Sequence, residues 1–344
     1  MPPTRLDPQD AEGERVAGTV SGIKISGQKR LVIVSGRAHP QLATDIAQEL
    51  GTELVETDAR TFANGEIYAR FGESIRGTDV FIIQSHTSPI NEWLMEQLIM
   101  VDAAKRASAK RITVVAPFYP YARQDKKGRG REPISARLVA DLFKAAGADR
   151  IMSVDLHAAQ IQGFFDGPVD HLFAMPVLLE HFQGSLDPST LTVVSPDMGR
   201  VRVADIWSDK LGAPLAIIHK RRDPRVPNQV SVHEIVGEVE GRTCLIVDDL
   251  IDTGRTIVKA AEALKAHGAT SVVVGATHAV FSDPATEILQ SDFIDRVVVT
   301  DTLPLPEEKR WDRLTVLPIA PLIARAIHEV FDDGSVTSMF DGAA

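Results

Sequence analysis

The chain of 344 residues is 44% hydrophobic and 24% charged, an ordinary globular composition, and it is longer than one typical domain of about 150 residues. Its 37 basic and 47 acidic residues give a formal net charge of −10, which disfavours a dedicated nucleic-acid binder. Because Cys244 is the only cysteine and the sequence has neither a signal pattern nor a long apolar run, we expect a cytoplasmic protein without disulfides or a membrane partner.

The predicted elements begin after residues 1–28, whose low apolar content with several Gly and Pro predicts a disordered N-terminal extension. From Leu31 onward, short β-branched runs alternate with amphipathic segments, which is typical of α/β folds with largely parallel sheets. The buried strands form two clusters, with a break predicted near residues 166–176. The predicted strands are 31–34, 80–83, 112–115, 151–154, 191–194, 215–218, 245–247, 272–274 and 297–299.

Apolar residues at helical spacing predict helices that each end at a glycine. These series are Leu42, Ile46 and Leu50 before Gly51, then Leu138, Leu142 and Ala145 before Gly147, then Val258, Ala261 and Leu264 before Gly268. Residues 65–71 instead alternate with period two, which predicts a half-exposed strand in a hairpin or flap.

The strongest chemical signal is residues 245–256, where an apolar strand runs into acids, small polar residues and a helix. No Walker A loop is present, so phosphate binding must use another device. Helix N–H groups with the Thr253 and Thr256 hydroxyls would cradle a phosphomonoester, and Asp248 and Asp252 would accept hydrogen bonds from ribose hydroxyls. The alternative is an acidic strand end followed by an ordinary N-cap, which explains one acid but not the whole pattern.

Two basic loops are suited to a polyphosphate, although a solvated basic loop is the alternative for each. The first carries Arg123, Lys126, Lys127, Arg129 and Arg131, and the second carries Lys220, Arg221 and Arg222. Guanidinium groups bind phosphate oxygens in pairs, and phosphoryl-type transfer depends on cations around the transferred group. The prolines that follow the second loop favour a mobile flap.

Residues 245–256 resemble the phosphoribosyl-pyrophosphate loop of type I phosphoribosyltransferases. With segments 62–66, 121–126, 153–165, 195–197 and 219–222, the chain resembles the ribose-phosphate pyrophosphokinases over about residues 30–341. That resemblance implies an α/β fold of two similar type I phosphoribosyltransferase-like domains, each a largely parallel sheet flanked by helices. It implies an N-terminal domain at 30–172, a C-terminal domain at 173–322, and a helix and tail at 323–344 that return to the N-terminal domain.

The resemblance also implies an enzyme that transfers the pyrophosphoryl group of Mg-ATP to the 1-hydroxyl of ribose 5-phosphate. The products would be 5-phosphoribosyl 1-pyrophosphate and AMP, for nucleotide and amino-acid biosynthesis. The implied ATP contacts are Asn64, Gly65, Glu66, Arg123 and Gln124, and the implied Mg²⁺ ligands are His157 and Asp197. Lys220 and Arg222 are the implied catalytic residues, and ribose 5-phosphate would be held by Arg222, Asp248, Asp252, Thr253, Gly254, Arg255 and Thr256. The chain departs from the family at Asn64, where many relatives have Asp, and at Arg255, where a small residue is usual.

Members of the family assemble as homohexamers, with ATP sites completed by a neighbouring flap. The tail at 335–340 resembles a segment of the regulatory phosphate and ADP site of phosphate-activated members, to which Ser74 and Arg76 would contribute; a frayed terminus is the alternative. Two rival functions are a phosphoribosyltransferase that consumes this product and a catalytically silent regulatory paralogue. The former does not need the Arg123 loop, and the latter predicts degraded basic loops, whereas both loops are intact here.

Overall fold

The structure, a computed structural model, describes residues 29–221 and 232–340. The predicted N-terminal extension at 1–28 and the catalytic candidate Arg222 lie outside the described residues. Of Lys220 and Arg221, at the end of a strand, only the backbone is described.

The first sheet is built from the first cluster of apolar runs. It contains β1 (Leu31–Ser35), β2 (Leu54–Val55), β5 (Asp79–Ile83), β6 (Arg111–Val115), β7 (Arg150–Val154) and β8 (Val169–Leu172). All six strands are parallel, in the order β2-β1-β5-β6-β7-β8. Strands covered on both faces need apolar residues on both, and every residue of β5 is accordingly buried. A separate antiparallel hairpin pairs β3 (Thr57–Thr61) with β4 (Ile67–Phe71), which confirms the predicted alternating strand.

The second sheet is built from the second cluster. It contains β9 (Leu191–Ser195), β10 (Leu215–Arg221), β11 (Val232–Val236), β12 (Thr243–Ile251), β13 (Ser271–Ala279), β14 (Arg296–Thr300) and β15 (Leu314–Leu317). The order is β11-β10-β9-β12-β13-β14-β15, parallel except for β11, which pairs antiparallel with β10. The chain winds in one direction from β9 and in the other from β12, so a topological switch point lies between these two strands. Ligands of open α/β sheets bind outside the carboxyl ends of the strands at such a point.

Helices pack between the two sheets and on their outer faces. They are α1 (Pro40–Glu49), α2 (Ile90–Arg106), α3 (Ser135–Ala146), α4 (Met175–Ser185), α5 (Val201–Leu211), α6 (Arg255–Ala266), α7 (Ala285–Leu289) and α8 (Ala320–Phe331). Side chains of α1, α4, α5 and α8 join one face of each sheet in a shared apolar core. Helices α2 and α3 cover the other face of the first sheet, and α6 and α7 cover that of the second. No helix in the described ranges has the length and apolar content needed to cross a membrane.

All nine predicted strands are present, and the largely parallel α/β fold is confirmed. Several strands were missed: β2 has two residues, and β3 and β8 carry polar side chains, so none presents a continuous apolar run. Strands β11 and β15 at the edges of the second sheet were missed as well. Strand β8 lies inside the interval where the sequence predicted a break, and there it completes the first sheet.

The helix predicted before Gly147 is present as α3, but the leucines of the apolar series do not lie on its buried face. Leu138 and Leu142 are 57% and 39% exposed, whereas Val139 and Phe143 are at most 2% exposed. Both pairs have the same i, i+4 spacing, so periodicity gave the helix but could not tell which of two apolar stripes faces the sheet.

Candidate active site

A polar seam, made of Asp155 with Thr277 and His278, joins the carboxyl ends of the two sheets. Asp155 follows β7 and accepts hydrogen bonds from the Thr277 hydroxyl on β13 and from the Ala174 N–H. His278 Nε2 lies 3.0 Å from the Val154 carbonyl oxygen. Burial raises the pKa of Asp155 to about 6. Because the seam ties β7 to β13, the residues that follow β7 are held against the second sheet.

The predicted phosphate loop lies at the switch point of the second sheet. Strand β12 continues to Ile251, beyond the predicted end at residue 247, so Asp248 and Asp249 belong to the strand rather than to the loop. Gly254, with φ +72°, precedes α6, and no side chain caps that helix in the described structure. The first N–H groups of α6 therefore have no capping group and are available to an anion.

The side chains of the phosphate loop differ in exposure. Asp252 and Thr253 are half-buried, whereas Arg255 and Thr256 are exposed. Because the Arg255 side chain is exposed, this departure from the family pattern is compatible with a cradle built from the loop backbone.

Four side chains cluster beside this loop: Asp248, Asp249, His157 and Arg200. His157 Nδ1 lies 2.7 Å from Asp249 Oδ2, and Arg200 Nη2 lies 2.5 Å from Asp249 Oδ1. Arg200 also approaches Asp248 Oδ1 with its Nε at 3.3 Å and His157 Nδ1 with its Nη2 at 2.8 Å. The structure therefore brings the predicted residues His157 and Asp248 into one cluster.

The two adjacent carboxylates titrate in opposite directions. Burial, and then the neighbouring charge of Asp249, raises the pKa of Asp248 well above its ordinary value. Burial also opposes ionisation of Asp249, but the hydrogen bond from His157 and the charge of Arg200 outweigh it and lower the pKa to about 2. Asp249 is thus the firmly ionised member, and its charge is directed at His157 and Arg200.

No role was predicted for Asp249 or Arg200 from the sequence. Asp249 stands next to Asp248 in the quoted motif, and that adjacency was its only signal. Arg200 is three residues beyond Asp197, and nothing in the spacing predicts that its side chain crosses to β12.

The predicted metal ligand Asp197 follows β9, on the other side of the switch point from β12. Its Oδ1 accepts a hydrogen bond of 2.8 Å from the Gly199 N–H, while the contacts of His157 are with Asp249 and Arg200. Within the described residues, no group of three or more His, Cys, Asp or Glu side chains forms a ready metal cage. Mg²⁺ does not require such a cage, because it keeps several waters and takes one or two protein ligands with substrate phosphates.

The basic loop after β6 reaches the phosphate loop through one ion pair. Arg123 Nη1 lies 2.6 Å from Asp252 Oδ2, joining a residue of the first sheet's loop to one of the second's. Burial raises the pKa of Asp252, but hydrogen bonds from Ser282 and Arg123 outweigh it and lower the pKa overall. Gln124 is held by the Ser135 hydroxyl, which donates to its Oε1 at 2.6 Å.

Internal hydrogen bonds hold the next part of that loop in a defined conformation. Glu132 Oε2 accepts hydrogen bonds from the N–H groups of Gly128 and Arg129 at 2.7 and 2.8 Å. The side chains of Lys126, Lys127, Arg129 and Arg131 are exposed. A cleft of about 1090 Å³ opens beside Arg123 and Gln124, and Phe281, Lys309 and Arg310 also line it. Its volume is ample for a nucleotide.

The other predicted ATP contacts stand at the tip of the β3–β4 hairpin. Asn64, Gly65 and Glu66 are exposed, and their hydrogen bonds are local: the Glu66 N–H donates to Asn64 Oδ1 and the Gly65 N–H donates to the Phe62 carbonyl. Gly65 has φ +91°, which the turn requires. In the described structure the hairpin tip is therefore exposed, and these hydrogen bonds do not link it to the Arg123 loop.

The candidate regulatory residues lie elsewhere on the surface. Ser74 and Arg76 are exposed. The tail forms a short 3₁₀ helix at Thr337–Phe340, and Phe340 packs edge-on against Phe173 with ring centroids 5.3 Å apart. The tail is therefore packed up to Phe340, which contradicts a frayed terminus over these residues.

Comparisons with known proteins cover most of the chain. Residues 31–147 match the N-terminal domain of ribose phosphate pyrophosphokinase, and residues 220–341 match a phosphoribosyl synthetase-associated domain. A ribose-phosphate pyrophosphokinase of Streptomyces coelicolor is 65% identical over 322 residues, covering 94% of this chain and 99% of the relative. One from Corynebacterium efficiens is 60% identical over 317 residues, covering 92% and 97% of the two chains.

A solved structure agrees with these relatives. The crystal structure of phosphoribosylpyrophosphate synthetase from Mycobacterium smegmatis is 56% identical, with a TM-score of 0.83. It covers 89% of this chain and 100% of that one.

Proposed function

The chain belongs to the ribose-phosphate pyrophosphokinases, and from that premise we propose how its residues perform the family reaction. The enzyme transfers the pyrophosphoryl group of ATP to the 1-hydroxyl of ribose 5-phosphate, giving 5-phosphoribosyl 1-pyrophosphate and AMP. The observation that carries the residue assignment is the Arg123–Asp252 ion pair, because it joins the ATP loop of one sheet to the ribose-phosphate loop of the other.

Ribose 5-phosphate would bind at the amino end of α6. The uncapped N–H groups after Gly254 and the hydroxyls of Thr253 and Thr256 would hold the 5-phosphate. Asp248 and Asp252 would accept hydrogen bonds from the ribose hydroxyls. Exposed Arg255 would contribute its backbone N–H and leave its side chain in solvent or on an outer phosphate oxygen.

ATP would bind on the side of Arg123 and Gln124. When both substrates are present, Arg123 would exchange Asp252 for phosphate oxygens, which frees the Asp252 carboxylate for the sugar. This exchange brings the β-phosphorus and the 1-hydroxyl of the sugar into one site and orients them for in-line attack. Lys220 and Arg222 would close over the site and stabilise the charge that develops on the transferred group.

Mg²⁺ fits the donors around the loop, and His157 and Asp197 would hold it. The position of Asp249 supports this fit: with Nδ1–H donated to Asp249 Oδ2, the lone pair of His157 Nε2 is left for a cation. Bound Mg²⁺ would neutralise phosphate oxygens of ATP and so lower the barrier to attack.

The assembly, the regulation and the domain division of the enzyme are proposed from the family. Each has some support in the described structure. Among the residues that the structure describes, the hairpin tip of Asn64, Gly65 and Glu66 has only local hydrogen bonds, as expected if it completes the ATP site of a neighbour in a homohexamer. Phosphate and ADP would regulate the enzyme near Ser74, Arg76 and the packed tail. The two sheets support domains at 30–172 and 173–322 with a returning segment at 323–344, and the unpaired Cys244 supports a cytoplasmic location.

An assay of the products tests the reaction. Incubation with ATP and ribose 5-phosphate should yield AMP and 5-phosphoribosyl 1-pyrophosphate in equal amounts by ³¹P NMR, dependent on Mg²⁺ and compared with and without phosphate. Formation of ADP instead of AMP would mean transfer of one phosphoryl group and would contradict the assignment.

A substitution at Asp248 tests the sugar site. Asp248→Asn should weaken use of ribose 5-phosphate by roughly two- to tenfold while calorimetric ATP affinity stays near wild type, since a lost hydrogen bond from a sugar hydroxyl is worth about 0.5–1.5 kcal/mol. An equal loss of ATP affinity would remove Asp248 from the sugar site.

A further inference from the structure

The Arg200 guanidinium lies among the three acceptors of the ribose and metal site. Arg200 directly precedes α5, and its side chain is 16% exposed. From there it crosses the switch point, reaching Asp249 Oδ1 at 2.5 Å, His157 Nδ1 at 2.8 Å and Asp248 Oδ1 at 3.3 Å. No role in the reaction proposed above requires these contacts.

The contacts at His157 Nδ1 cannot all be satisfied by one neutral imidazole. Arg200 can only donate, so its contact needs a lone pair on Nδ1, whereas the Asp249 contact at 2.7 Å needs a proton there. If the lone pair of Nδ1 accepts the hydrogen bond from Arg200, the proton of the neutral ring is on Nε2. A metal needs the lone pair of that same Nε2. Arg200 and a metal on Nε2 thus require opposite tautomers of His157.

Charge leads to the same conclusion. The ionised Asp249 carboxylate on β12 would attract a cation, and the fixed positive charge of Arg200, 2.5 Å away, already compensates it. A divalent ion that approaches this cluster meets that charge at close range.

We propose that Arg200 is a positioning residue that acts as a tethered counter-cation. It occupies the Asp248, Asp249 and His157 cluster in the substrate-free enzyme, and a divalent cation must displace it. This inference rests on the proposed function for the identity of the metal site. Displacement would free Nδ1 of His157 to donate to Asp249, and would free the guanidinium to move toward an incoming phosphate.

Binding of Mn²⁺ to the substrate-free full-length enzyme tests the proposal. Mn²⁺ prefers the same oxygen-rich ligands as Mg²⁺, and loss of its free-ion EPR signal measures binding without turnover. Arg200→Gln should lower the Mn²⁺ Kd by about tenfold, which corresponds to about 1.4 kcal/mol. The matched control is Arg202→Gln, which removes the same charge from an exposed position on α5 and should leave the Kd unchanged.

Two further variants locate the effect. The increase in Mn²⁺ affinity must disappear in Arg200→Gln combined with His157→Ala, because that increase should arise at this cluster. Arg200→Lys keeps the charge but cannot reach three acceptors, so its Kd should fall by roughly threefold; this variant decides the matter if Arg200→Gln does not fold. Unchanged or weaker Mn²⁺ binding, or a gain that survives loss of His157, would overturn the proposal. Failure of the wild type to release AMP would instead refute the proposed function, since the binding assay contains neither substrate.

Discussion

Gly254 offers the sharpest test of the phosphate loop, because its backbone carries two separate constraints. Its φ is +72°, and a Cβ added there would lie 3.1 Å from Leu289 Cγ and 3.2 Å from Leu289 Cδ2. Gly212, after α5, has φ +61° but no heavy atom within 4 Å of an added Cβ. Gly212→Ala therefore isolates the cost of the left-handed backbone, and Gly254→Ala adds the collision with Leu289.

The magnitudes follow from these geometries. An alanine in the left-handed region costs about 1–2 kcal/mol, partly offset by the reduced freedom of the unfolded chain, so Gly212→Ala should lose about 1 kcal/mol. Leu289 is fully buried, so it cannot swing away freely, and overpacking should cost about another 1–2 kcal/mol in Gly254→Ala. At roughly 2 °C per kcal/mol for a chain of this size, the two Tm values should fall by about 2 °C and about 5 °C.

The functional consequence separates the two variants further. The added methyl points at α7, away from the cradle, so it acts by displacing the loop backbone that presents N–H groups to the phosphate. Gly254→Ala should raise the KM for ribose 5-phosphate by about three- to tenfold, with the KM for ATP nearly unchanged, and Gly212→Ala should change neither. Calorimetry and steady-state kinetics on both proteins measure this. Equal Tm losses with a normal ribose 5-phosphate KM in both would refute the reasoning.

Two other residues yield independent predictions. Lys220→Ala should lower kcat by roughly a hundredfold or more while both KM values change little, since the charge it meets develops in the transition state; a raised ribose 5-phosphate KM with normal kcat would make Lys220 a binding residue. Burial raises the pKa of Asp301 to about 6, against the hydrogen bond from the Ile319 N–H, so its contribution to stability is present at acidic pH and lost as pH rises toward 6. As the pH rises from 4.5 to 7.5, the free energy of unfolding of Asp301→Asn should therefore increase by up to about 2 kcal/mol relative to that of the wild type, measured by denaturant unfolding. The exposed control variant Asp292→Asn should show no such trend.

Local sequence was sufficient wherever one segment carries its own chemistry. The nine apolar runs had to be buried strands, because each offers apolar side chains on both faces. A phosphate loop could be proposed from sequence because acids, small residues and a helix start follow one another without interruption in residues 245–256. The hairpin strand β4 could likewise be predicted from its own residues, because period-two alternation lies within the single segment 65–71.

Tertiary structure decided every feature that depends on which surfaces meet. The sequence presented two apolar stripes on α3, and only packing on the sheet selected Val139 and Phe143 over Leu138 and Leu142. Short or polar strands such as β2 and β8 form because a neighbouring strand offers backbone groups for hydrogen bonding. Their own residues give no sign of that neighbour.

The same division holds in the candidate active site. Residue types and a family resemblance were sufficient to predict His157, Asp248 and the basic Arg123 loop as candidates. The sequence could not predict that Asp249 faces His157 or that Arg200 crosses from the end of β9 to the end of β12. Those contacts join residues 43 to 92 positions apart, and they arise because parallel strands deliver distant residues to one edge of the sheet. Sequence thus determined the chemical groups, and the order of strands determined which of them meet.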